Sequence, residues 1–423
     1  WITSTVPMTP DPAAYTPAQL AQLEYDVSMG DPKWRIERHL WIKDKAGAIH
    51  PIAKLKLAQR RLLNLIVYLR KIGKAVRIMI LKSRKVGMST LVEADAFCEV
   101  IDHGYDAIVI AHDKESASFI FGMMDRYYNN YDLPKPGTDR ANTGEIKFSG
   151  DKGFIEVHTA NEVNSTRSRT PQYVHASESA HWKREKGLAT ALSLMNAISE
   201  MHNSTMIDET TANGYDPLYQ PKWENASKHV KLTWDENDQP VLDITPVFYD
   251  FNGKISSTWN GFIPVFFSVL DDEDCRQPIA DENERANLAS TLDTWERHIL
   301  EVFKGPLEYI KWRRWCIAHK CRDLDDFNQE YPETSTLAFI HSGNPRFNVQ
   351  ALRLLVPEPG RKVSLTYGDS VAPANWTRTV SSFPDSGSPL TEFRKPIRNH
   401  KYVIGCDTSE GLRDEHGKNP DAS

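Results

Sequence analysis

The chain has 423 residues, a length that exceeds one ordinary folding core and predicts two or three domains. Hydrophobic residues make up 40% and charged residues 26%, and no apolar run approaches the roughly 20 residues of a membrane-spanning helix. The five cysteines lack C-x-x-C spacing, which argues against a disulfide framework and a zinc site. The formal net charge of −6 does not indicate nucleic-acid binding, although a local basic face is enough for it.

The N-terminal part predicts short elements that lead to a first helix. Residues 1–33 are proline-rich at the start and predict an extended arm with a short helix. Trp34–Pro51 predicts two short strands around a turn, and Leu55–Ile72 has the apolar spacing of a helix. The apolar run Ala75–Leu81 then predicts a strand, followed by a basic loop and a helix over Thr90–Val100.

The same strand, loop and helix pattern repeats once. Ala107–Ala111 predicts a strand, and Asp113 is placed to cap the helix that follows. Such repetition is typical of a parallel sheet that binds ligands at the carboxyl ends of its strands. An edge hairpin is expected within residues 131–153. Three more strands and one helix are predicted, at Phe154–His158, Tyr173–Ala176, Ser204–Ile207 and about Lys186–Met201.

The C-terminal half differs in composition from the N-terminal half. Residues 223–267 are rich in Trp, Thr and Val and predict a β insertion, while Leu292–Cys321 predicts helices. Residues 344–397 are proline-rich and predict a linker, after which Tyr402–Cys406 begins a new apolar strand.

The loop after the first long strand carries the most informative pattern, which reads IMILKSRKVGMST. In the usual phosphate loop, G-x-x-x-x-G-K-[ST], backbone N–H groups wrap the phosphates, a lysine reaches their oxygens and the hydroxyl ligates Mg²⁺. Gly87 and Ser89 fit this pattern, but Met88 replaces the lysine and Lys82 replaces the first glycine. The positively charged side chains Lys82, Arg84 and Lys85 therefore stand upstream of Gly87. Taken alone, the loop also fits a basic surface turn.

A second strand delivers a carboxylate. In YVHASE, Glu178 is placed to orient an attacking water, and Ser177 stands where an aspartate near the metal is usual. The alternative for Glu178 is a solvated helix cap. The later turn TTANG places Asn213 where it can register the loss of a phosphate, although Asn-Gly alone is simply a turn.

Five segments, in order, resemble the large terminase subunit of tailed bacteriophages, the motor that packages DNA into the prohead. They are LKSRKVGMST, YVHASESAHW, ETTANGYDPLY, FNQEYPETSTLAF and YVIGCDTSEG. The resemblance runs from about Trp34 to the end. It implies a P-loop (ASCE-type) α/β ATPase with a mainly parallel sheet flanked by helices, a small lid subdomain and the start of an RNase H-like nuclease domain.

The resemblance also implies roles for individual residues. Gln59 is then the adenine-region glutamine, Ser89, Ser177 and Glu178 lie at the magnesium ion, and Asn213 belongs to the coupling motif. Either Arg167 or Arg169 reaches the nucleotide of a neighbouring subunit, where an arginine stabilises charge on the transferred phosphoryl. For both arginines the alternative is a solvated surface position. The phosphate site comprises nine consecutive residues: Lys82, Ser83, Arg84, Lys85, Val86, Gly87, Met88, Ser89 and Thr90.

From this resemblance we expect an arm at 1–33, an ATPase core at 34–290, a lid at 291–343, a linker at 344–397 and the start of the nuclease at 398–423. Asp407 would be the first nuclease metal ligand, with Asp421 a further candidate; such sites hold two divalent ions with several carboxylates. We expect the chain to be part of a longer protein, and not to cut DNA by itself.

The implied ligands are ATP and Mg²⁺, and the implied partners are double-stranded DNA, the portal of the procapsid and the small terminase subunit. A homo-oligomeric ring, a pentamer in the family, is expected to act in the host cytoplasm at the portal vertex, without a membrane. Two other hypotheses stay open: a helicase-like DNA translocase, and a docking module at a capsid vertex that binds no nucleotide. Neutralising Lys82 or Arg84 is expected to abolish hydrolysis, whereas Met88→Ala is expected to be tolerated.

Overall fold

The computed structural model describes residues 16–44, 46–142, 144–160, 170–199, 201–214, 216, 218–249 and 253–339, and the backbone of three strands between 361 and 392. Its helices are α1 (Pro17–Gly30), α2 (Pro32–His39), α3 (Leu57–Lys71), α4 (Met88–His103), α5 (Lys114–Asn130), α6 (Arg184–Ala197), α7 (Gln220–His229), α8 (Glu282–Ser290), α9 (Thr294–Glu301), α10 (Leu307–His319), α11 (Leu324–Glu330) and α12 (Ser335–Ala338). Within these described ranges, none of the helices is both long and apolar enough to cross a membrane.

The strands fall into one large sheet and several small ones. They are β1 (Trp41–Lys43), β2 (Ile49–Pro51), β3 (Val76–Lys82), β4 (Asp106–Ala111), β5 (Thr138–Ala141), β6 (Glu145–Phe148), β7 (Phe154–Thr159), β8 (Tyr173–Ser177), β9 (Thr205–Thr210), β10 (Val230–Trp234), β11 (Pro240–Ile244), β12 (Val247–Tyr249), β13 (Ile255–Thr258), β14 (Ile263–Phe267), β15 (Arg361–Thr366), β16 (Thr377–Val380) and β17 (Leu390–Glu392).

The central sheet has eight strands in the order β14-β3-β9-β8-β4-β7-β6-β5. The first six strands pair in parallel, and the edge hairpin of β5 and β6 pairs antiparallel. The predicted α/β class with a mainly parallel sheet is therefore confirmed. Because parallel strands end at one edge of a sheet, the segments that follow β3, β8 and β9 are neighbours in space.

Side chains of β3 alternate between two hydrophobic clusters, one on each face of the sheet. Ile78 and Ile80 pack with α3, α4 and α5, whereas Met79 and Leu81 pack with α6 and α7. A strand buried on both faces reads as a continuous apolar run, which is why this one could be predicted. Each fully buried aliphatic side chain contributes about 1.5–3 kcal/mol.

Two predicted segments differ from the structure near the chain's start and in its middle. The two short strands expected within Trp34–Pro51 are present as β1 and β2, but they begin only at Trp41, because α2 occupies the residues before them and Asp31 caps it by accepting the Trp34 N–H at 3.1 Å. The β insertion at 223–267 is correct only in part, since α7 runs to His229 and β14 joins the edge of the central sheet beside β3. The predicted Asp113 cap of α5 is confirmed by its bond to the Ser116 N–H.

A second structural unit comprises residues 250–254 and 344–423. Three antiparallel strands, β16-β15-β17, lie inside the stretch predicted as a linker, so this stretch contains a small sheet that its composition did not reveal. The domain boundaries remain predictions.

A third hydrophobic cluster surrounds Glu333, whose side chain is 0% exposed. The Glu333 carboxylate accepts from Trp295 Nε1 at 3.0 Å, Tyr309 OH at 2.7 Å and Arg313 Nε at 2.8 Å. The cluster spans α9 to α12 and includes Phe327, Tyr331 and Leu337 of the FNQEYPETSTLAF motif, so the motif's second glutamate has a structural role.

Glu333→Gln is expected to lower the free energy of unfolding by about 3–5 kcal/mol, because it removes the carboxylate 2.8 Å from the buried Arg313 guanidinium and leaves Glu296, at 3.9 Å, to compensate that charge. Urea unfolding followed by tryptophan fluorescence measures this loss. Glu273→Gln, at an exposed glutamate, is the control and changes stability by less than about 0.5 kcal/mol. Equal unfolding midpoints for the two variants would contradict the structural role of Glu333.

Candidate functional site: a phosphate-type loop beside paired carboxylates

The loop between β3 and α4 is held by its glycine and by Gln59. Gly87 adopts φ 84°, and the Gln59 Nε2 donates to the Gly87 carbonyl at 2.8 Å. A Cβ added at Gly87 would lie 2.9 Å from this Nε2, so both the backbone angle and the space require glycine. Gly87 caps α4 without a described side-chain hydrogen bond, which leaves the positive end of a 16-residue helix facing the loop. Such an end favours anions.

The side chains of the loop divide into buried and exposed groups. Val86 and Met88 belong to the hydrophobic cluster between the sheet and α3–α5, whereas Arg84 and Lys85 are exposed. Only the backbone of Met88 is therefore available to a phosphate. The Thr90 hydroxyl lies 3.9 Å from Met123 Sδ, on the side of α5.

The expected tolerance of Met88→Ala needs correction on this basis. Met88 is 1% exposed, so its truncation is expected to lower the free energy of unfolding by about 2–5 kcal/mol through lost packing and a cavity. Urea unfolding of Met88→Ala measures the cost, with Lys85→Ala in the same loop as the exposed control. An unfolding midpoint equal to that of the wild type would show that the core closes around the gap.

Lys82 lies at the end of β3 and is buried against two carboxylates. Its Nζ donates to Glu178 Oε1 at 2.7 Å. Burial alone would lower the pKa of Lys82, but the charges of Glu209 and Glu178 outweigh it and raise the pKa. Lys82 is thus a permanent cation at the carboxyl edge of the sheet, where its sequence position placed it.

Glu178 follows β8 in a left-handed backbone conformation, with φ 51° and ψ 47°. Its Oε2 accepts from the Thr211 N–H at 2.9 Å and from the Thr211 hydroxyl at 3.3 Å. Burial alone would raise the pKa of Glu178, but Lys82 outweighs it and lowers the pKa. The carboxylate is ionised and held by strained backbone, a state that costs about 1–3 kcal/mol and is common at functional sites.

A second buried acid, Glu209 on β9, was missed by the sequence analysis. Its Oε1 accepts from the hydroxyl of Ser89 and, at 3.4 Å, from that of Ser177. His175 Nε2 lies 3.3 Å from the same oxygen, while His175 Nδ1 lies 2.6 Å from Glu93 Oε1. The sequence signal was weak, because β9 reads TMIDET and the predicted strand ended at Ile207, before the acidic pair Asp208-Glu209.

The charges in this group compensate one another. Burial alone would lower the pKa of His175, but Glu93 and Glu209 raise it to about 10. Burial alone would raise the pKa of Glu209, but Lys82 and His175 lower it to about 2. Lys82, His175, Glu178 and Glu209 accordingly form an ionised network at the sheet edge, in which Lys82 compensates the charges of both Glu178 and Glu209.

The turns after β8 and β9 are joined to each other. Asn213 Nδ2 donates to the Ala180 carbonyl at 3.1 Å, and His181 Nε2 lies 3.0 Å from the Thr211 hydroxyl. Because Thr211 also binds Glu178, a movement of Glu178 would change the hydrogen bonds that hold the turn containing Asn213.

Arg84 connects the loop to the C-terminal end of α11. Its Nη1 donates to Glu330 Oε2 at 2.7 Å, and its backbone N–H donates to the Glu330 carbonyl at 2.8 Å. Arg84 is 56% exposed, so the ion pair itself is weak and easily exchanged for another anion.

Other features of the described residues lie apart from this site. A cavity of about 310 Å³ lies at the start of α3, lined by residues that include Lys54, Lys56 and Asp272, and by no residue of the phosphate-type loop. Within the described part of the chain, His, Cys, Asp and Glu side chains form no group of three that could hold a metal ion. Arg167, Arg169, Asp407 and Asp421 lie outside the described residues.

These features define an α/β chain whose parallel sheet carries the glycine-containing loop of residues 83–87 next to a lysine and two carboxylates. No protein-family model and no curated protein matches it. Among solved structures, the ATPase domain of the Thermus phage P74-26 large terminase is 14% identical over 61% of this chain and 87% of that one, with a TM-score of 0.36.

The large terminase of bacteriophage HK97 is 14% identical over 78% of this chain and 60% of that one, with a TM-score of 0.43. The Phi-28 gp11 DNA packaging motor is 11% identical over 79% and 84%, with a TM-score of 0.29. The structural neighbours are thus phage terminases and a packaging motor, as the sequence resemblance predicted. Because these TM-scores are below 0.5, we base the functional conclusion on the residues and geometry of the chain itself.

Proposed function

We propose that this chain is the ATPase of a viral DNA-packaging motor, which hydrolyses ATP to move double-stranded DNA into a procapsid. The contact between Lys82 and Glu178 carries this proposal. A cation at the end of the phosphate-loop strand and a carboxylate at the end of a second strand are the two charges that phosphoryl transfer to water needs. The five sequence motifs add the packaging role.

The strand order supports the ASCE-type assignment. In that class an additional strand separates the phosphate-loop strand from the strand that bears the catalytic glutamate. Here β9 lies between β3 and β8. Lys82 and Glu178 meet across β9, and the turn after β9 contacts Glu178.

In the proposed reaction, Lys82 exchanges one anion for another. The terminal phosphate of ATP competes with Glu178 for the Lys82 ammonium, because a phosphate carries more charge than a carboxylate. Glu178, freed from Lys82, becomes more basic and orients the attacking water. Loss of the phosphate restores the Lys82–Glu178 pair, and Thr211 passes this change to the Asn213 turn.

The residues present fit a magnesium ion. Hydroxyls of Ser89 and Ser177 meet a carboxylate of Glu209 at the loop, and oxygen atoms are the ligands that Mg²⁺ takes beside nucleotide phosphates. When bound, the ion neutralises charge on the phosphates. We assign Ser89 as its protein ligand, with Ser177 behind it.

The remaining parts of the proposal rest on the resemblance. Gln59 would lie near adenine, and Arg167 or Arg169 would act on a neighbour's nucleotide in a ring at the portal vertex in the host cytoplasm. A small terminase subunit and the portal would be partners, and Asp407 and Asp421 would belong to a metal-dependent endonuclease. DNA would be gripped through its phosphates, without sequence readout.

An ATPase assay with and without double-stranded DNA tests the proposal. We expect Mg²⁺-dependent hydrolysis that increases with duplex DNA of any sequence, and DNA binding that weakens steeply with salt. Hydrolysis equal to the buffer background at every protein concentration, with and without DNA, would refute it. Unwinding of a forked duplex would favour a helicase instead.

A further inference from the structure

Glu209 occupies a position in the sheet that is equivalent to that of Ser177. The two residues are direct neighbours in the register of the parallel strands β8 and β9. Ser177 stands where an aspartate near the metal is usual. The carboxylate that β8 lacks at this position is therefore supplied by Glu209 on the adjacent strand β9. The Glu209 side chain is 0% exposed and faces the loop that begins α4.

The contacts of Glu209 fix the orientation of a hydroxyl. A serine hydroxyl has one proton to donate and two lone pairs. Ser89 donates its proton to Glu209 Oε1, so the lone pairs of Ser89 are left for a cation. Ser177 directs its hydroxyl to the same oxygen at 3.4 Å.

The second oxygen of Glu209 is buried and has no hydrogen-bond partner among the described residues. A buried carboxylate oxygen without a partner is costly, and such atoms need an explanation such as an ion or a bound water. Lys82 and His175 compensate the charge of Glu209 but leave this oxygen open. It is therefore free to accept from water that belongs to a metal shell.

We propose that Glu209 replaces the aspartate absent from position 177 as the carboxylate that orients Ser89 and the waters of a nucleotide-bound divalent cation. Glu209 acts through Ser89 and is a positioning residue. The inference rests on the proposed ATPase function and names the residue in this chain that sets its metal dependence.

Binding of a fluorescent ATP analogue, titrated with Mg²⁺ or Mn²⁺ and repeated in EDTA, tests the role of Glu209 without relying on turnover. Glu209→Gln is expected to raise the half-saturating metal concentration by about 10–100-fold, the usual effect of losing a group that orients a metal ligand. Binding in EDTA is expected to stay near the wild-type level, because the phosphates still meet Lys82 and the α4 terminus.

Glu93→Gln is the matched control. Glu93 contacts the opposite nitrogen of His175 but, among the described contacts, neither serine, so its variant makes the same carboxylate-to-amide change on the other side of His175. We expect no change in the half-saturating metal concentration for this variant. An increase as large as that of Glu209→Gln would overturn the proposal, since the effect would then pass through His175.

A second pair of variants guards against misfolding. Ser177→Asp combined with Glu209→Ser returns the carboxylate to β8 at constant charge, and it is expected to recover most of the metal affinity that Glu209→Ser alone loses. A folded double variant without recovery, or a folded Glu209→Gln with wild-type metal dependence, would overturn the proposal. If the wild type binds no nucleotide with or without metal, the proposed function fails and this inference falls with it.

Discussion

Glu178→Gln is expected to slow ATP hydrolysis by about 10²–10⁴-fold while ATP still binds, because the amide cannot take a proton from water. Gln keeps an oxygen that can accept from the Thr211 N–H, so the turn after β9 should stay in place. Steady-state hydrolysis and equilibrium binding of a fluorescent ATP analogue measure the two effects separately.

The exposed Glu115 on α5 offers a control for this variant. Glu115→Gln removes the same charge from the helix that follows the neighbouring strand, and its rate is expected to equal that of the wild type. Equal rates above background for Glu178→Gln and Glu115→Gln would remove Glu178 from the reaction. Background rates in both variants and in the wild type would favour a docking module that binds no nucleotide.

The second large effect is expected for Lys82→Met, which leaves Glu178 and Glu209 facing each other without their shared cation. We expect hydrolysis to fall to background and the free energy of unfolding at neutral pH to fall by about 3–5 kcal/mol. Lys85→Met removes a charge from the same loop at an exposed position and is expected to leave stability unchanged.

The pH dependence of Lys82→Met distinguishes lost charge from lost packing. Without Lys82, like-charge repulsion and burial raise the pKa of these carboxyl groups in the folded state above their unfolded value, so the folded state favours protonation. The stability deficit relative to the wild type is therefore expected to shrink as pH falls towards 5, in thermal unfolding from pH 8 to 5. A deficit that stays constant over this range would indicate packing as its cause.

Local patterns in the sequence predicted most of the central fold. The apolar run of β3, the helical spacing of α3 and the Asp113 cap each depend on neighbouring residues, and all three are present in the structure. Strand pairing depends on distant residues, which is why the position of β14 beside β3 was not predicted. The strands β15 to β17 were hidden by prolines in the connecting segments.

The site was predictable where one motif supplied one residue. Lys82 and Glu178 could be placed at strand ends, and parallel strands bring such ends together. Glu209 could not be found in this way, because its role depends on the register between β8 and β9 and on the absence of an acid at position 177. The burial of the Met88 side chain was likewise not predicted, because the motif assigns this position to phosphate binding.

The most direct test is a crystal structure of the chain with Mg²⁺ and a non-hydrolysable ATP analogue. We predict the triphosphate on the backbone of residues 83–90, with the Lys82 ammonium on the terminal phosphate and separated from Glu178. A nucleotide bound instead in the cavity beside Lys54 and Lys56, with the Lys82–Glu178 pair intact, would contradict the assignment of this loop as the phosphate site.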